Sequence, residues 1–322
     1  MKNLALFTSG GDSPGMNACI RAVVRTAVAE GINVFGIRYG YDGLINDDFI
    51  PMDAGSVANI IHRGGTILKT ARSAAFMTEE GMRKAKVNLE KRNIDGVVAI
   101  GGDGTFRGAV AFSKICDIPF IGCPGTIDND LKGTDFTIGF DTAINTAIEC
   151  VDKIRDTAES HDRVFIVEVM GRDAGLIALY SGIGAGAEGI MIPETKNDLE
   201  KIIERLKKSR ESKRSKIIIV AEGDEEGGGF EVGKRIRAEF PNFDVRITIL
   251  GHVQRGGSPS AMERMNASKM GYAAVEALLM GKKNEMIGIV HNKVAYTPFE
   301  EAVKHLEGPD VDLLRMIDIL AR

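Results

Sequence analysis

The chain has 322 residues, 44% of them apolar and 27% charged, with a formal net charge of −4. That length leaves room for two domains and the composition is that of a globular protein. The acidic balance argues against bulk nucleic-acid binding, and no apolar run reaches the length of a membrane span. Met1-Lys2-Asn3 leads straight into a strand-like run without the pattern of a signal peptide, so the expected compartment is the cytoplasm. Cys19, Cys116, Cys123 and Cys150 lack metal-type spacing and are expected as free, mostly buried thiols.

Leu4 to Thr8 is a continuous apolar run, the pattern of a strand buried on both faces. Ser9 to Gly15 forms a glycine turn, and Met16 to Glu30 reads as a helix with Ile20, Val23, Val24 and Ala27 on one face. Backbone N–H groups at such a helix start attract anions, and Gly10 and Gly11 would let a phosphate lie against the main chain. A plain tight turn is the alternative, and the pattern is neither G-x-G-x-x-G nor a P-loop. Asn33 to Arg38 predicts a second strand, the stretch from Tyr41 to Met52 is less regular, and Ser56 to Ile61 predicts a short helix. Lys69, Arg72 and Ser73 fall in a polar loop, where the donor fork of an arginine would serve a phosphate site.

Thr78 to Arg92 predicts an amphipathic helix and Gly96 to Ile100 a buried strand. Gly101 to Thr105 then repeats the Gly-Gly-Asp turn, and Phe106 to Lys114 begins another helix. Both turns are expected at the carboxyl edge of one parallel sheet. Asp103 would hold Mg²⁺ beside phosphates or cap the helix. The run Ile118 to Ile121 delivers Cys123-Pro124-Gly125-Thr126-Ile127-Asp128-Asn129-Asp130. In extended backbone, residues two apart share a side, so Thr126, Asp128 and Asp130 would lie together, with Ile127 and Asn129 opposite. Acceptors at the end of a buried strand suit the ligand edge of an open α/β sheet; the same residue types suit a surface turn.

Asp141 to Ala158 predicts a long helix, and Val164 to Val169 a strand ending in Met170-Gly171-Arg172-Asp173. Gly189 to Ile192 reads as a strand, and Asn197 to Glu200 as a capping box for a helix reaching Ser209. Lys207 to Lys216 is a basic, solvated run, followed by a strand from Ile217 to Val220 that delivers Glu222. Gly227 to Gly229 predicts a flexible loop, Phe230 to Phe240 a helix, and Val245 to Leu250 a strand ending at Gly251 to Gly257. Arg246, His252 and Arg255 make a cationic group suited to bidentate anion recognition. Met262 to Met280 predicts a helix, Met286 to Val290 a strand, and Pro298 to Leu320 mostly helix. The alternation of strand and helix indicates doubly wound α/β organisation.

Asp12, Asp103, the Asp128/Asp130 pair, Met170-Gly171-Arg172 and His252 to Gly257 together resemble the motif set of the bacterial ATP-dependent 6-phosphofructokinases. The likeness runs from Thr8 to about Val290, and the stretches Pro124 to Asp130 and Gly251 to Gly257 are the most specific to that family. It implies two doubly wound three-layer α/β/α domains with the active site in the cleft between them. Residues 1–139 and 252–305 would bind ATP, and residues 140–251 and 306–322 would bind fructose 6-phosphate.

The implied reaction is the glycolytic transfer of the γ-phosphoryl group of MgATP to the 1-hydroxyl of fructose 6-phosphate. By this resemblance Gly11, Tyr41, Arg72, Ser73, Gly102, Asp103, Gly104, Thr105 and Gly108 would line the ATP site, with Asp103 holding Mg²⁺, helped by Asp130. Thr126, Ile127, Asp128, Met170, Gly171, Arg172 and Glu222 would hold the sugar and the migrating phosphoryl group, with Asp128 as general base. Arg163, Arg246, His252 and Arg255 would bind the 6-phosphate, Arg163 and Arg246 reaching in from a neighbouring subunit of a homotetramer. Arg21, Arg25, Arg155, Gly186, Glu188, Lys213 and Arg214 match an effector site for ADP or phosphoenolpyruvate. Glu211 and Ser215 depart from the basic residue and histidine that relatives carry near there, which puts the effector preference in doubt.

Pyrophosphate-using relatives carry Asp where this chain has Gly104 and Lys where it has Gly125, so two glycines favour ATP. Three alternatives remain at this level: a pyrophosphate-dependent enzyme, a kinase of the NAD-kinase and lipid-kinase group sharing Gly-Gly-Asp-Gly, and a non-catalytic nucleotide or phosphosugar sensor.

Overall fold

Apolar residues at four successive positions, Leu4 to Phe7, of the first strand, β1 (Asn3–Ser9), require a layer on each side of it. Leu4 and Leu6 face one core and Ala5 and Phe7 another. The computed structural model describes all residues except 162, 209–215, 305–307, 309 and 321–322, and it supplies both layers. By contacts the chain forms two compact units, Met1–Thr142 with Arg255–Leu306, and Ala143–Gln254 with Glu307–Arg322. No described helix is long and apolar enough to cross a membrane.

In the first unit, β1 leads through helix α1 (Met16–Ala29) to β2 (Asn33–Ile37), then α2 (Gly40–Ile45) and β3 (Phe49–Met52). Helix α3 (Glu79–Lys91) precedes β4 (Gly96–Gly101), and α4 (Asp103–Phe112) precedes β5 (Phe120–Thr126) and the two-residue β6 (Ile138–Gly139). α5 (Phe140–His161) then carries the chain into the second unit.

There β7 (Val164–Val169), α6 (Leu176–Gly184), β8 (Gly189–Met191), α7 (Asp198–Lys208), β9 (Lys216–Ala221), α8 (Gly229–Glu239) and β10 (Val245–Ile249) follow. The chain returns through α9 (Ala261–Leu279), β11 (Glu285–Val290), β12 (Lys293–Pro298) and α10 (Phe299–Ala302), and α11 (Val311–Leu320) comes last.

The larger sheet runs β12-β11-β5-β4-β1-β2-β3, with β6 beside β5. Its centre is parallel, and strand order reverses between β1 and β4, the position where open α/β sheets leave a crevice. Helices α1 and α9 cover one face through Ile20, Val23, Met270 and Ala274. Phe76, Phe106, Phe112 and Phe299 fill the other, Phe106 and Phe299 stacking at 5.0 Å. The smaller sheet, β10-β7-β9-β8, is parallel throughout. Leu199, Ile202, Val232 and Ile236 of α7 and α8 pack on one of its faces.

Several local expectations give way. The larger sheet has two antiparallel edges, β3 and β12, that apolar patterning did not announce. β3 carries Pro51, which an edge tolerates because no neighbour needs its missing N–H. Residues 54–59 are turns rather than a helix. Asp53 and Ser56 exchange bonds of 2.7 and 3.1 Å there, and Asn59 has a left-handed φ of 55°. The capping box at Asn197 does not form: the Asn197 N–H donates to Glu225 at 3.1 Å, while Glu200 pairs with Arg235. α4 begins at Asp103 with Gly102 as its cap, three residues earlier than the apolar pattern suggested. The loop at Gly227 to Gly229 is tied down by a 2.7 Å bond from the Gly229 N–H to Glu168.

Candidate active site

In the larger sheet the pairing register sets Ser9, Gly101 and Pro124 side by side at the carboxyl ends of β1, β4 and β5. Gly10 and Gly102 follow directly and begin two adjacent loops, while β5 runs on through Gly125 to Thr126. Gly101 packs so closely that a Cβ there would lie 2.3 Å from Thr105 Oγ1 and 2.7 Å from the Ser9 carbonyl. Gly10 and Gly15 bracket the first loop with φ values of 86° and 101°, the left-handed backbone that glycine adopts freely. Arg255 lies against Gly11, its Nη1 3.3 Å from where a Cβ would stand.

Asn17, buried at the start of α1, was not singled out by the sequence. Its amide donates to the carbonyls of Arg63 and Gly64 at 3.0 and 3.1 Å and accepts from the Ile67 N–H at 2.8 Å. Thr70 donates to the Gly10 carbonyl at 2.8 Å. These bonds fix the 63–73 loop beside the first glycine turn. Arg72 is exposed there, and the Ser73 hydroxyl accepts from Phe76 N at 3.1 Å, starting a short 3-10 turn.

Asp103 sits in the first turn of α4, and both its oxygens accept from Arg107 Nε, at 2.8 and 2.9 Å. Arg107, also unannounced, is held in turn by the Val303 carbonyl at 3.0 Å. Gly104 looks onto open space, since nothing lies within 4 Å of an added Cβ. Gly125 does not: a Cβ there would meet Met16 Cε at 2.9 Å and Gly101 N at 3.2 Å. The open space on which the donor argument rests is therefore at Gly104, while at Gly125 an added Cβ would press on the movable end of Met16 and on the Gly101 backbone.

Tyr41 is buried, not a surface of the site. Its ring stacks on Phe76 at 3.8 Å and packs against Gly108, and its hydroxyl donates to the Thr105 carbonyl at 2.7 Å. Burial pushes its phenol far above the usual range.

The stretch after β5 departs from a simple strand. Extended backbone stops at Thr126, and Asn129 turns left-handed at φ 53°, so alternation does not carry Asp130 onto the face of Thr126 and Asp128. The cause is the Asn129 side chain, which donates to the Asp135 carbonyl at 3.1 Å and accepts from the Thr137 N–H at 2.7 Å. Thr137 donates in turn to the Thr126 carbonyl at 2.7 Å. Asp128, 6% exposed, is held in this braced loop, its N–H donating to Thr126 Oγ1 at 3.2 Å.

The second unit has its own cluster at the carboxyl ends of β7 and β9. Met170 N donates to Gln254 Oε1 at 3.0 Å, and the Arg172 N–H donates to Glu222 Oε1 at 2.8 Å. Gly171 has φ 143° and Arg172 φ 56°. A non-glycine residue held left-handed costs about 1–3 kcal/mol and persists only where its surroundings over-determine it. Gly223 lets the Arg172 carbonyl approach, since a Cβ there would lie 2.0 Å from that oxygen. His252 is exposed in the 3-10 turn Gly251–Arg255.

Arg163 and Arg246 lie elsewhere. Arg163 immediately precedes β7 and Arg246 is the second residue of β10, so both stand at the opposite edge of the smaller sheet from Met170 to Arg172. A six-residue strand spans about 20 Å. The two sets therefore do not meet on one small ligand within a single chain.

Of the expected effector residues, Arg155 Nη2 donates to the Ala185 and Gly186 carbonyls at 2.7 and 3.2 Å and lies 3.9 Å from Glu188. Arg21 and Arg25 are one turn apart on α1. Lys213 and Arg214, with Glu211 and Ser215, lie outside the described residues.

The phosphofructokinase family profile matches residues 3–278. The chain is 53% identical over 321 residues to the ATP-dependent 6-phosphofructokinase of Cytophaga hutchinsonii, covering 99% of this chain and 98% of that one. It is 54% identical over 322 residues to ATP-dependent 6-phosphofructokinase 1 of Thermus thermophilus, covering 100% of both. Among solved structures, phosphofructokinase from Saccharomyces cerevisiae superposes with a TM-score of 0.87 at 38% identity. That match covers 94% of this chain and 45% of the yeast chain.

Proposed function

The chain belongs to the phosphofructokinase family, and on that premise we propose that it transfers the terminal phosphoryl group of ATP to the 1-hydroxyl of fructose 6-phosphate. The products are fructose 1,6-bisphosphate and ADP. The observation that carries the reading is the row of strand ends Ser9, Gly101 and Pro124, which opens two glycine loops beside a braced, buried Asp128.

Asp128 is the general base. A sugar hydroxyl is a poor nucleophile at neutral pH, and a carboxylate that accepts its proton as the bond to phosphorus forms relieves that. In a loose phosphoryl-transfer transition state, positioning contributes most, so the Asn129 and Thr137 bonds that hold Asp128 matter as much as its basicity. Arg172 supplies positive charge to the migrating group, and Glu222 holds the backbone that presents it. The glycine loops at Gly10 and Gly102 receive the nucleotide phosphates.

Asp103 would hold Mg²⁺. It offers one hard oxygen ligand, and among the described residues no group of three or more His, Cys, Asp or Glu could hold a metal, which fits an ion that arrives already bearing phosphate and water oxygens. When bound, Mg²⁺ neutralises charge on the transferring phosphates. Arg107 pairs with the Asp103 carboxylate at 2.8 Å and orients it.

The enzyme works as a homo-oligomer, a tetramer by family likeness, in which Arg163 and Arg246 serve a neighbour's substrate. Two features support this. The arginines stand at the far sheet edge from Arg172, and α9 exposes Met262, Met265, Tyr272 and Leu279 at successive spacings of three, seven and seven residues, the heptad-like stripe of a helix seam. ADP or phosphoenolpyruvate would act at the Arg155 cluster.

A coupled assay of purified protein with fructose 6-phosphate and either ATP or pyrophosphate tests the reading. ATP should support turnover and pyrophosphate should not, as the open space at Gly104 favours a nucleotide. Asp128→Ser should lower kcat by roughly 10²–10⁴-fold, the span of a general base. Turnover with pyrophosphate alone, or a fully active Asp128→Ser, would overturn it.

A further inference from the structure

Asp244 immediately precedes β10, and Arg163 immediately precedes β7, the parallel neighbour in which Val164 pairs with Val245. Register therefore brings the two side by side at the amino edge of the smaller sheet. Arg246 is two residues beyond Asp244 and so shares its face. The Asp244 carboxylate bridges both guanidinium groups. Oδ2 accepts from Arg163 Nε at 2.7 Å and from Arg246 Nη2 at 3.2 Å, and Oδ1 stands 2.9 Å from Arg246 Nε.

These bonds engage the Nε side of each arginine. Both Nη groups of Arg163 and Nη1 of Arg246 lie outside them. Two like charges beside one another on an exposed edge repel, and each long side chain would otherwise sample many rotamers. One carboxylate between them removes the repulsion and narrows the sampling.

We propose that Asp244 is a positioning residue for substrate binding, holding Arg163 and Arg246 as a two-pronged receptor whose outer N–H edges grip the 6-phosphate of fructose 6-phosphate bound by a neighbouring copy. This rests on the kinase reading above. Asp244 touches no reacting atom and acts only through the two arginines.

The proposal makes a prediction that opposes simple charge reasoning. Removing a negative charge from a phosphate site should tighten binding if net charge governs affinity. If orientation governs it, freeing two rotamer-rich arginines must weaken binding, because their ordering is then repeated each time substrate binds.

Steady-state kinetics of Asp244→Asn decide between these. KM for fructose 6-phosphate should rise about 10-fold, from the ordering of two side chains, with kcat within about twofold and KM for ATP unchanged. Asp244→Glu should recover part of the loss. In an Arg163→Ala, Arg246→Ala background, Asp244→Asn should add nothing. An unchanged or lower KM in Asp244→Asn, or a further rise in the doubly substituted background, would overturn the proposal.

If Asp244→Asn fails to assemble as the wild type does, Asp244→Ser carries the test. It should then show the same rise in KM at unchanged kcat, and a wild-type KM would overturn the role. Absence of fructose 6-phosphate kinase activity in the wild type is a separate result, and it would sink the functional reading itself.

Discussion

The Glu263 carboxylate accepts from both the N–H and the hydroxyl of Thr142, each at 3.2 Å, at the point where the chain leaves the first unit. Glu263 is also the third residue of α9, where its N–H meets the Ser260 cap at 3.0 Å. Its side chain turns inward instead of closing a capping box. Gly15 makes room for it, since a Cβ there would lie 2.9 Å from Glu263 Cγ.

That placement has a pH signature. Burial pushes the Glu263 carboxyl up to about 7, against bonds from the Gly139 and Thr142 N–H groups that favour the charged form, while Asp141 raises it further. The folded-state value lies above the unfolded one near 4.5. The favourable term is therefore fully present below about 4.5 and is lost as pH rises through about 7, a span worth about 3 kcal/mol. Glu263→Gln should lack this dependence. Denaturant midpoints of both proteins at pH 5 and pH 8 should show the wild type losing ground to the variant at pH 8. A constant difference between them would mean that Glu263 does not titrate in this range.

Arg172 is left-handed, and a glycine would adopt that backbone without strain. Arg172→Gly should therefore be more stable than Arg172→Ala by about 1 kcal/mol, although both lose the same charged side chain. Both should lose activity if the guanidinium serves the transferring phosphoryl. Thermal midpoints of the pair, with their kcat values, check this. Equal midpoints would show that Glu222 and Gly223 impose no strain.

If neighbouring chains complete each other's sites, as proposed, Arg246 of one chain and Asp128 of another belong to one catalytic unit. Arg246→Ala alone should raise KM for fructose 6-phosphate, and Asp128→Ser alone should be nearly inactive. Hybrids formed by mixing and reassembling the two variants should contain sites with both wild-type groups, and some activity with a near-normal KM should return. No recovery in demonstrably mixed oligomers would place Arg246 in its own chain's site.

How far the site could be read before folding depended on how local its causes were. The two Gly-Gly-Asp turns were legible because a buried strand followed by glycines and a helix is encoded within about fifteen residues. Asn17, Arg107 and Asn129 were not, since each acts through partners that sequence spacing does not reveal: Arg63 and Ile67, Val303, and Thr137. Asn129 shows the failure most directly. Alternation assumed an extended backbone, and a side chain bonding eight residues ahead bent it. The tight surroundings of Gly125 were hidden for the same reason, because Met16, which lies in its Cβ direction, is distant in sequence.

By itself the amino-acid order settled the strand–helix rhythm and the family, since apolar period and motif chemistry are properties of neighbouring residues. Only the folded chain decided the antiparallel edges, the burial of Tyr41 and the separation of Arg163 and Arg246 from Arg172. Those follow from which strands pair and which strand ends face the same way. Pairing of that kind is fixed by packing across the whole sheet and is written in no single stretch of the chain.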